Sequence, residues 1–210
     1  MEEYKEPRWK QFLDRIGPMV LLNALFLLCC IPLFTIGAAW CGLYQGIRNF
    51  AKGEKWFPGF WQGFRSKFLS TALISTVFHI FDLYFLYNTI CIGYYQMDGF
   101  LVPLIASCLM TGFALMVTAA LFPLRVYAPT DTAQWLRNSV SLAIQAPLQS
   151  LLIGTLMFLP PVLLLCFTFS MSFLVLAIIA FYYSGVALTA TLLYRKKLLP
   201  FHEKAEGVSL

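Results

Sequence analysis

The chain has 210 residues, 60% of them apolar or aromatic and only 12% charged, with a formal charge of +5. A soluble domain carries roughly 25% charged residues, yet the stretches 16–47, 68–97, 99–124 and 138–194 together contain a single charged side chain, Asp82. A water-soluble globular fold is therefore excluded, and the Lys and Arg residues, gathered at the ends of apolar runs rather than in a stripe, do not point to nucleic acid.

The expected fold is an all-α, polytopic membrane bundle forming a single domain over 1–210, because about 20 apolar helical residues cross a hydrocarbon core. Residues 1–15 hold Lys5, Arg8, Lys10 and Arg15 and are expected on the cytoplasmic side, with Trp9 as an interfacial anchor. The run 16–47 is long enough for one crossing or for a hairpin. Pro32, Thr35 and Gly37 supply a helix breaker, a hydroxyl able to cap a new helix and a flexible glycine, so a turn is expected at Pro32–Gly37. The uncharged part of the returning arm reaches only ~18 Å, short of a full crossing unless it tilts or is partly re-entrant. Along that arm Ala38, Gly42 and Gly46 recur every fourth residue, a small-residue face for close helix packing within the chain or between chains.

Residues 53–67 read as an interfacial amphipathic connection. Phe57, Phe60, Trp61 and Phe64 recur at helical spacing with Phe68, opposite Gln62, Arg65, Ser66 and Lys67. The run 68–97 is one crossing, and 99–124 is another, closed by Pro123 and Arg125. Arg125 is expected to snorkel to headgroups, and Trp135 beside Arg137 to anchor the following connection. The run 138–194 would measure about 85 Å as one helix, so it must fold back. Pro160-Pro161 and the polar stretch 168–172 divide it into crossings at about 142–167 and 173–194, with 198–210 as a cytoplasmic tail.

Basic residues stay cytoplasmic. A single crossing at 16–47 divides the Lys and Arg residues four against eleven, whereas a hairpin puts all 15 on one side. Six membrane elements with both termini cytoplasmic are therefore expected, five full crossings and one short arm; five crossings with the N-terminus outside is the alternative.

Ionisable groups within apolar runs are the candidates for chemistry, since a charge in hydrocarbon is costly. His79 and Asp82, three residues apart, share a helix face and could form a proton relay or contact a polar solute; as a structural pair they could equally bond each other. Asn23, which joins His79 and Asp82 as a candidate polar site within the membrane, and Asn88 with Thr89 suit hydrogen bonding between helices or contact with a ligand, and Gln145 and Gln149, one turn apart, suit a polar cavity or the interface. The six cysteines lie in apolar runs without C-x-x-C spacing, H-E-x-x-H is absent and so is a Walker A sequence. Neither a metal site nor a cofactor nor an enzyme is expected.

Several of these residues form a pattern: Asn23, Ile31-Pro32, Thr35-Ile36-Gly37-Ala38-Ala39 and Leu43-Tyr44, followed by Phe60 and Phe64-Arg65-Ser66-Lys67-Phe68. Phe122-Pro123-Leu124, Tyr127, Leu136-Arg137-Asn138-Ser139, Pro147 and Gly185 continue it. The pattern resembles the YesL-like family of bacterial integral membrane proteins, although Pro129-Thr130-Asp131-Thr132 departs from that family's central acidic motif. The resemblance implies a multi-pass protein of the bacterial inner membrane, in contact with the lipid bilayer, with a link to carbohydrate uptake and no catalytic residues. The expected role is accessory or regulatory, with a carbohydrate transporter subunit as partner and a homo-oligomer left open. A stand-alone small-solute or proton-coupled transporter using the His79 and Asp82 face is the alternative.

Overall fold

The computed structural model describes residues 8–95, 100–166, 181–194 and 197–198, and these are helical apart from short connections. In chain order they form α1 (Arg8–Cys29), one 3-10 turn (Leu33–Thr35), α2 (Ile36–Ala51), α3 (Trp56–Arg65), α4 (Phe68–Tyr95), α5 (Leu101–Tyr127), α6 (Thr132–Gln145) and α7 (Pro147–Cys166). A last helical stretch, 181–194, is termed α8. The loop expected at 168–172, and the terminal segments apart from residues 8–15 and Leu198, lie outside the described residues.

Two helices, Phe68–Tyr94 and Leu101–Tyr127, are long and apolar enough to cross a membrane. Their outer flanks display Leu73, Ile80, Tyr87, Ile105 and Leu109, side chains that lipid accommodates and water does not. The pair Thr132–Gln145 and Pro147–Pro160 makes a third span if counted as one, but it is bent by 109°. The apolar part of α1, Ile16–Cys29, is about 21 Å long and shorter than a ~30 Å core. By length and composition the described helices thus supply two or three spans where six membrane elements were expected.

Between α1 and α2 the chain reverses at residues 30–35. Leu22 of α1 lies against Gly46 of α2, and Phe26 meets Trp40 with ring centroids 4.8 Å apart, so the two helices run antiparallel. Thr35 does not cap α2, as its position in the sequence suggested. It sits in helical backbone, and its hydroxyl turns back to the carbonyls of Pro32 (2.6 Å) and Cys29. The end of α1 leaves carbonyls without intrahelical partners, and Thr35 serves one of them. Gly37 likewise acts through its size: it lies within α2, where a Cβ would fall on the Ser75 side chain of α4.

The small-residue face of α2 serves several neighbours within the chain. Ala38 is buried, Gly42 lies under Phe60 of α3, and Gly46 receives Leu22 of α1. Trp40 joins the core by stacking on Phe122 of α5 (6.0 Å) and meeting Tyr183 of α8 edge-on (5.7 Å). The same closeness gives the segment 53–67 a packed face. Helix α3 folds back on α2 and buries Gly59, Phe60 and Gly63 against it, leaving Phe57 exposed and Trp61 half-buried.

The second half departs from the expected boundaries. Helix α5 continues through Pro123 to Tyr127, and the crossing placed at 142–167 is divided at Ala146, where α6 ends and Pro147 opens α7. Proline at a first helical position loses no hydrogen bond, because that N–H has no intrahelical acceptor. Helix α7 in turn passes through Pro160. The Leu156 carbonyl, deprived of its usual donor there, accepts from the Tyr182 hydroxyl at 3.0 Å.

Gly63 tests this packing. A Cβ there would lie 2.5 Å from the Cys41 carbonyl oxygen, whereas one at Gly17 meets nothing within 4 Å. Gly63→Ala should destabilise the detergent-solubilised protein by about 1–3 kcal/mol while Gly17→Ala does not; equal melting temperatures would refute the α2–α3 contact.

Candidate functional site

Helices α4 and α5 form an antiparallel pair whose polar residues face one another. Ser75, Asp82 and Thr89 recur every seven residues on α4, and Thr111, Thr118 and Arg125 do so on α5. A seven-residue repeat keeps one helix stripe against one neighbour. The Thr118 hydroxyl donates to Asp82 Oδ2 at 2.8 Å, and the Thr89 hydroxyl bonds those of Ser107 (2.7 Å) and Thr111 (3.1 Å). At the far end Arg125 Nε donates to the Thr71 hydroxyl at 3.3 Å.

This seam separates the two residues singled out in the sequence. His79 shares a helix face with Asp82 but does not bond it; His79 Nδ1 lies 2.6 Å from the Ser75 carbonyl and, facing an acceptor, carries the proton. Its ring rests between Phe122 and Phe158, at 6.2 and 5.6 Å. Asp82 is 1% exposed, and its Oδ1 has no hydrogen-bond partner among the described residues. Beside it lies a cleft of about 210 Å³ walled by Leu86, Leu115, Phe158 and Leu159, with Thr111 and Thr155 as its other polar residues.

Other candidates are dispersed. Asn23 is buried, and its Oδ1 accepts from the Ser184 backbone N–H of α8 at 3.1 Å, joining the first and last described helices. Asn88 donates to the Tyr84 carbonyl of its own helix at 2.9 Å, so among the described residues only Thr89 of that pair bonds between helices. The break at Ala146 separates Gln145, which is exposed on α6, from Gln149 on α7, so the two do not lie one turn apart on a single helix.

Sequence reasoning missed a second polar centre, at the junction of α2, α3 and α5. Arg125 does not snorkel to headgroups; it is 4% exposed. Its Nη2 donates to the Ser70 hydroxyl at 2.9 Å and its Nη1 to the Thr130 carbonyl at 3.3 Å, and its guanidinium lies 4.4 Å from the centre of the Trp135 ring. Trp135 is correspondingly no interfacial anchor: it is 1% exposed, and its indole N–H donates to the Leu121 carbonyl at 2.8 Å. Arg125 and Arg48 both line a pocket of about 220 Å³ that also includes Gln45, Gln62 and Ser66. The seven-residue interval linking Arg125 to Thr118 and Thr111 was the available sequence signal.

The fold and these sites define an all-helical protein with helices able to cross a membrane and ionisable residues buried between them. Residues 19–89, from α1 through most of α4, match the model of a family described as "Protein of unknown function, DUF624". No curated protein and no solved structure matches the chain.

The Asp82–Thr118 contact is measurable by a double-mutant cycle of Asp82→Ala and Thr118→Val, read by unfolding in detergent. A coupling of about 0.6 kcal/mol is expected, the usual size for a hydrogen bond between membrane helices; strictly additive variants would remove the contact from the seam.

Proposed function

We propose that the protein is an accessory or regulatory component of carbohydrate transport, multi-pass in a bacterial inner membrane, with both termini cytoplasmic and its first two helices forming a short membrane hairpin. The observation that carries this reading over a stand-alone transporter is the placement of the polar residues of α4 and α5. Asp82, Thr89, Thr111 and Thr118 hydrogen-bond across the seam, and largely apolar walls border the cleft beside Asp82. Resemblance to the YesL-like family supports the carbohydrate link, and the distribution of all 15 basic residues supports the orientation.

The buried Oδ1 of Asp82, beside its cleft, favours a second reading as a small-solute or proton-coupled carrier. One uptake experiment separates the two. Proteoliposomes containing this chain alone should accumulate no labelled mono- or disaccharide, whereas co-expression with a carbohydrate permease should alter that permease's uptake and yield a co-purifying complex. Uptake by the chain alone, abolished by Asp82→Asn in a protein that still inserts, would establish the carrier instead.

Orientation has its own test. A cysteine introduced at Gly53, in the exposed connection between α2 and α3, should resist a membrane-impermeant maleimide in intact cells and react after permeabilisation. Labelling from outside would overturn the hairpin topology.

A further inference from the structure

The pocket at the junction of α2, α3 and α5 has an electrostatic composition that hydrocarbon packing does not require. Arg125 is buried, and its partners are two hydroxyls, one carbonyl and an indole face. Among the described residues no carboxylate partners it. A guanidinium stays charged at any physiological pH and has five N–H donors; three of Arg125's are directed at protein acceptors.

A second cation approaches from α2: Arg48 Nη1 donates to the Val126 carbonyl at 3.0 Å, one residue beyond Arg125, and Arg48 lines the same pocket. A third, Lys67 Nζ, donates to the Thr130 carbonyl at 3.0 Å, the same oxygen that Arg125 Nη1 uses. Arg125 and Lys67, sharing one carbonyl, repel each other, and among the described residues no acidic side chain stands in the pocket lining. Both the Gln62 amide and the Ser66 hydroxyl can donate there as well. The volume of about 220 Å³ far exceeds the ~10–15 Å³ that holds one water.

We infer that the Arg48–Arg125 pocket binds a phosphate-type oxyanion. Planar guanidinium forks match the oxygen geometry of phosphate and bond it in pairs. Such an oxyanion neutralises Arg125 and relieves its repulsion from Lys67. Two sources share this chemistry, the headgroup of an anionic phospholipid and a small phosphorylated solute.

The test uses the full chain purified in neutral detergent and phosphate-free buffer. Inorganic phosphate should raise the melting temperature saturably above sodium chloride at matched ionic strength. In a parallel arm, the protein in phosphatidylcholine nanodiscs, with or without phosphatidylglycerol, is examined by native mass spectrometry for retained anionic lipid. Gln62→Glu puts a carboxylate in the lining at an exposed position, so folding should persist while half-saturation by phosphate, or the lipid needed for retention, rises at least tenfold. Arg48→Gln should weaken binding in the same direction.

A response to phosphate points to a soluble ligand, and retention of phosphatidylglycerol without a phosphate response points to a lipid headgroup; either supports the site. Absence of both effects, or effects unchanged in a folded Gln62→Glu protein, would overturn it.

Discussion

Hydrocarbon offers no hydrogen bonds, so a polar group carried into it must find its partner on another helix or on its own backbone. The α4–α5 seam follows from that constraint. With Asp82 facing Thr118 and Thr89 facing Thr111, sliding one helix past the other would strand several polar groups at once, so the seam fixes register as well as proximity. The rest of the bundle is built on this pair. Gly37 brings α2 against Ser75, Trp40 stacks on Phe122, and Gly154 lets α7 approach the Leu115 backbone, where a Cβ would lie 2.5 Å from its carbonyl oxygen.

Helix α2 shows how a short element can be central. Ten of its sixteen residues are buried, and it touches α1, α3, α4 and α5 through residues chosen for size: glycine where a backbone or branched side chain must come close, Trp40 where several aromatic rings meet. Small residues provide close packing between membrane helices, for which lipid supplies no hydrophobic drive. A segment this short is held by its neighbours, and α3, folded along it, completes the enclosure. The aromatic residues of 56–68 are consequently divided between core and surface: Phe60 is buried, whereas Phe57 is half exposed.

The apolar runs and the reversal near Pro32 were legible because composition and a helix breaker act locally. What each residue does there was less legible, since Thr35 bonds backward to α1 and Gly37 admits Ser75, contacts that only the folded chain defines. The partners of the prolines were hidden for a related reason. Pro160 interrupts the helix's hydrogen bonding, but the Tyr182 hydroxyl that serves the carbonyl it frees belongs to a residue 22 positions away and leaves no local sign. Among the site residues, His79 and Asp82 were conspicuous as ionisable groups. Arg125 was not, because a basic residue near a helix end ordinarily faces headgroups, and the indole and hydroxyls that enclose it come from α4 and α6.

Asp82 and Arg125 are ionisable groups of opposite sign on the same helix pair, but they do not bond each other. The Thr71 hydroxyl that Arg125 bonds precedes Asp82 by eleven residues, about 16 Å along the helix axis. At that separation, attraction through an effective dielectric of about 20 amounts to roughly 1 kcal/mol, below the several kcal/mol that burying an ion costs. The two groups therefore have different recourses. A carboxyl group can take up a proton and remain buried as a neutral donor and acceptor. A guanidinium cannot shed its charge, so Arg125 depends on oriented hydroxyls, a carbonyl and the Trp135 ring, and the charge that these dipoles leave uncompensated draws an anion into the pocket it shares with Arg48.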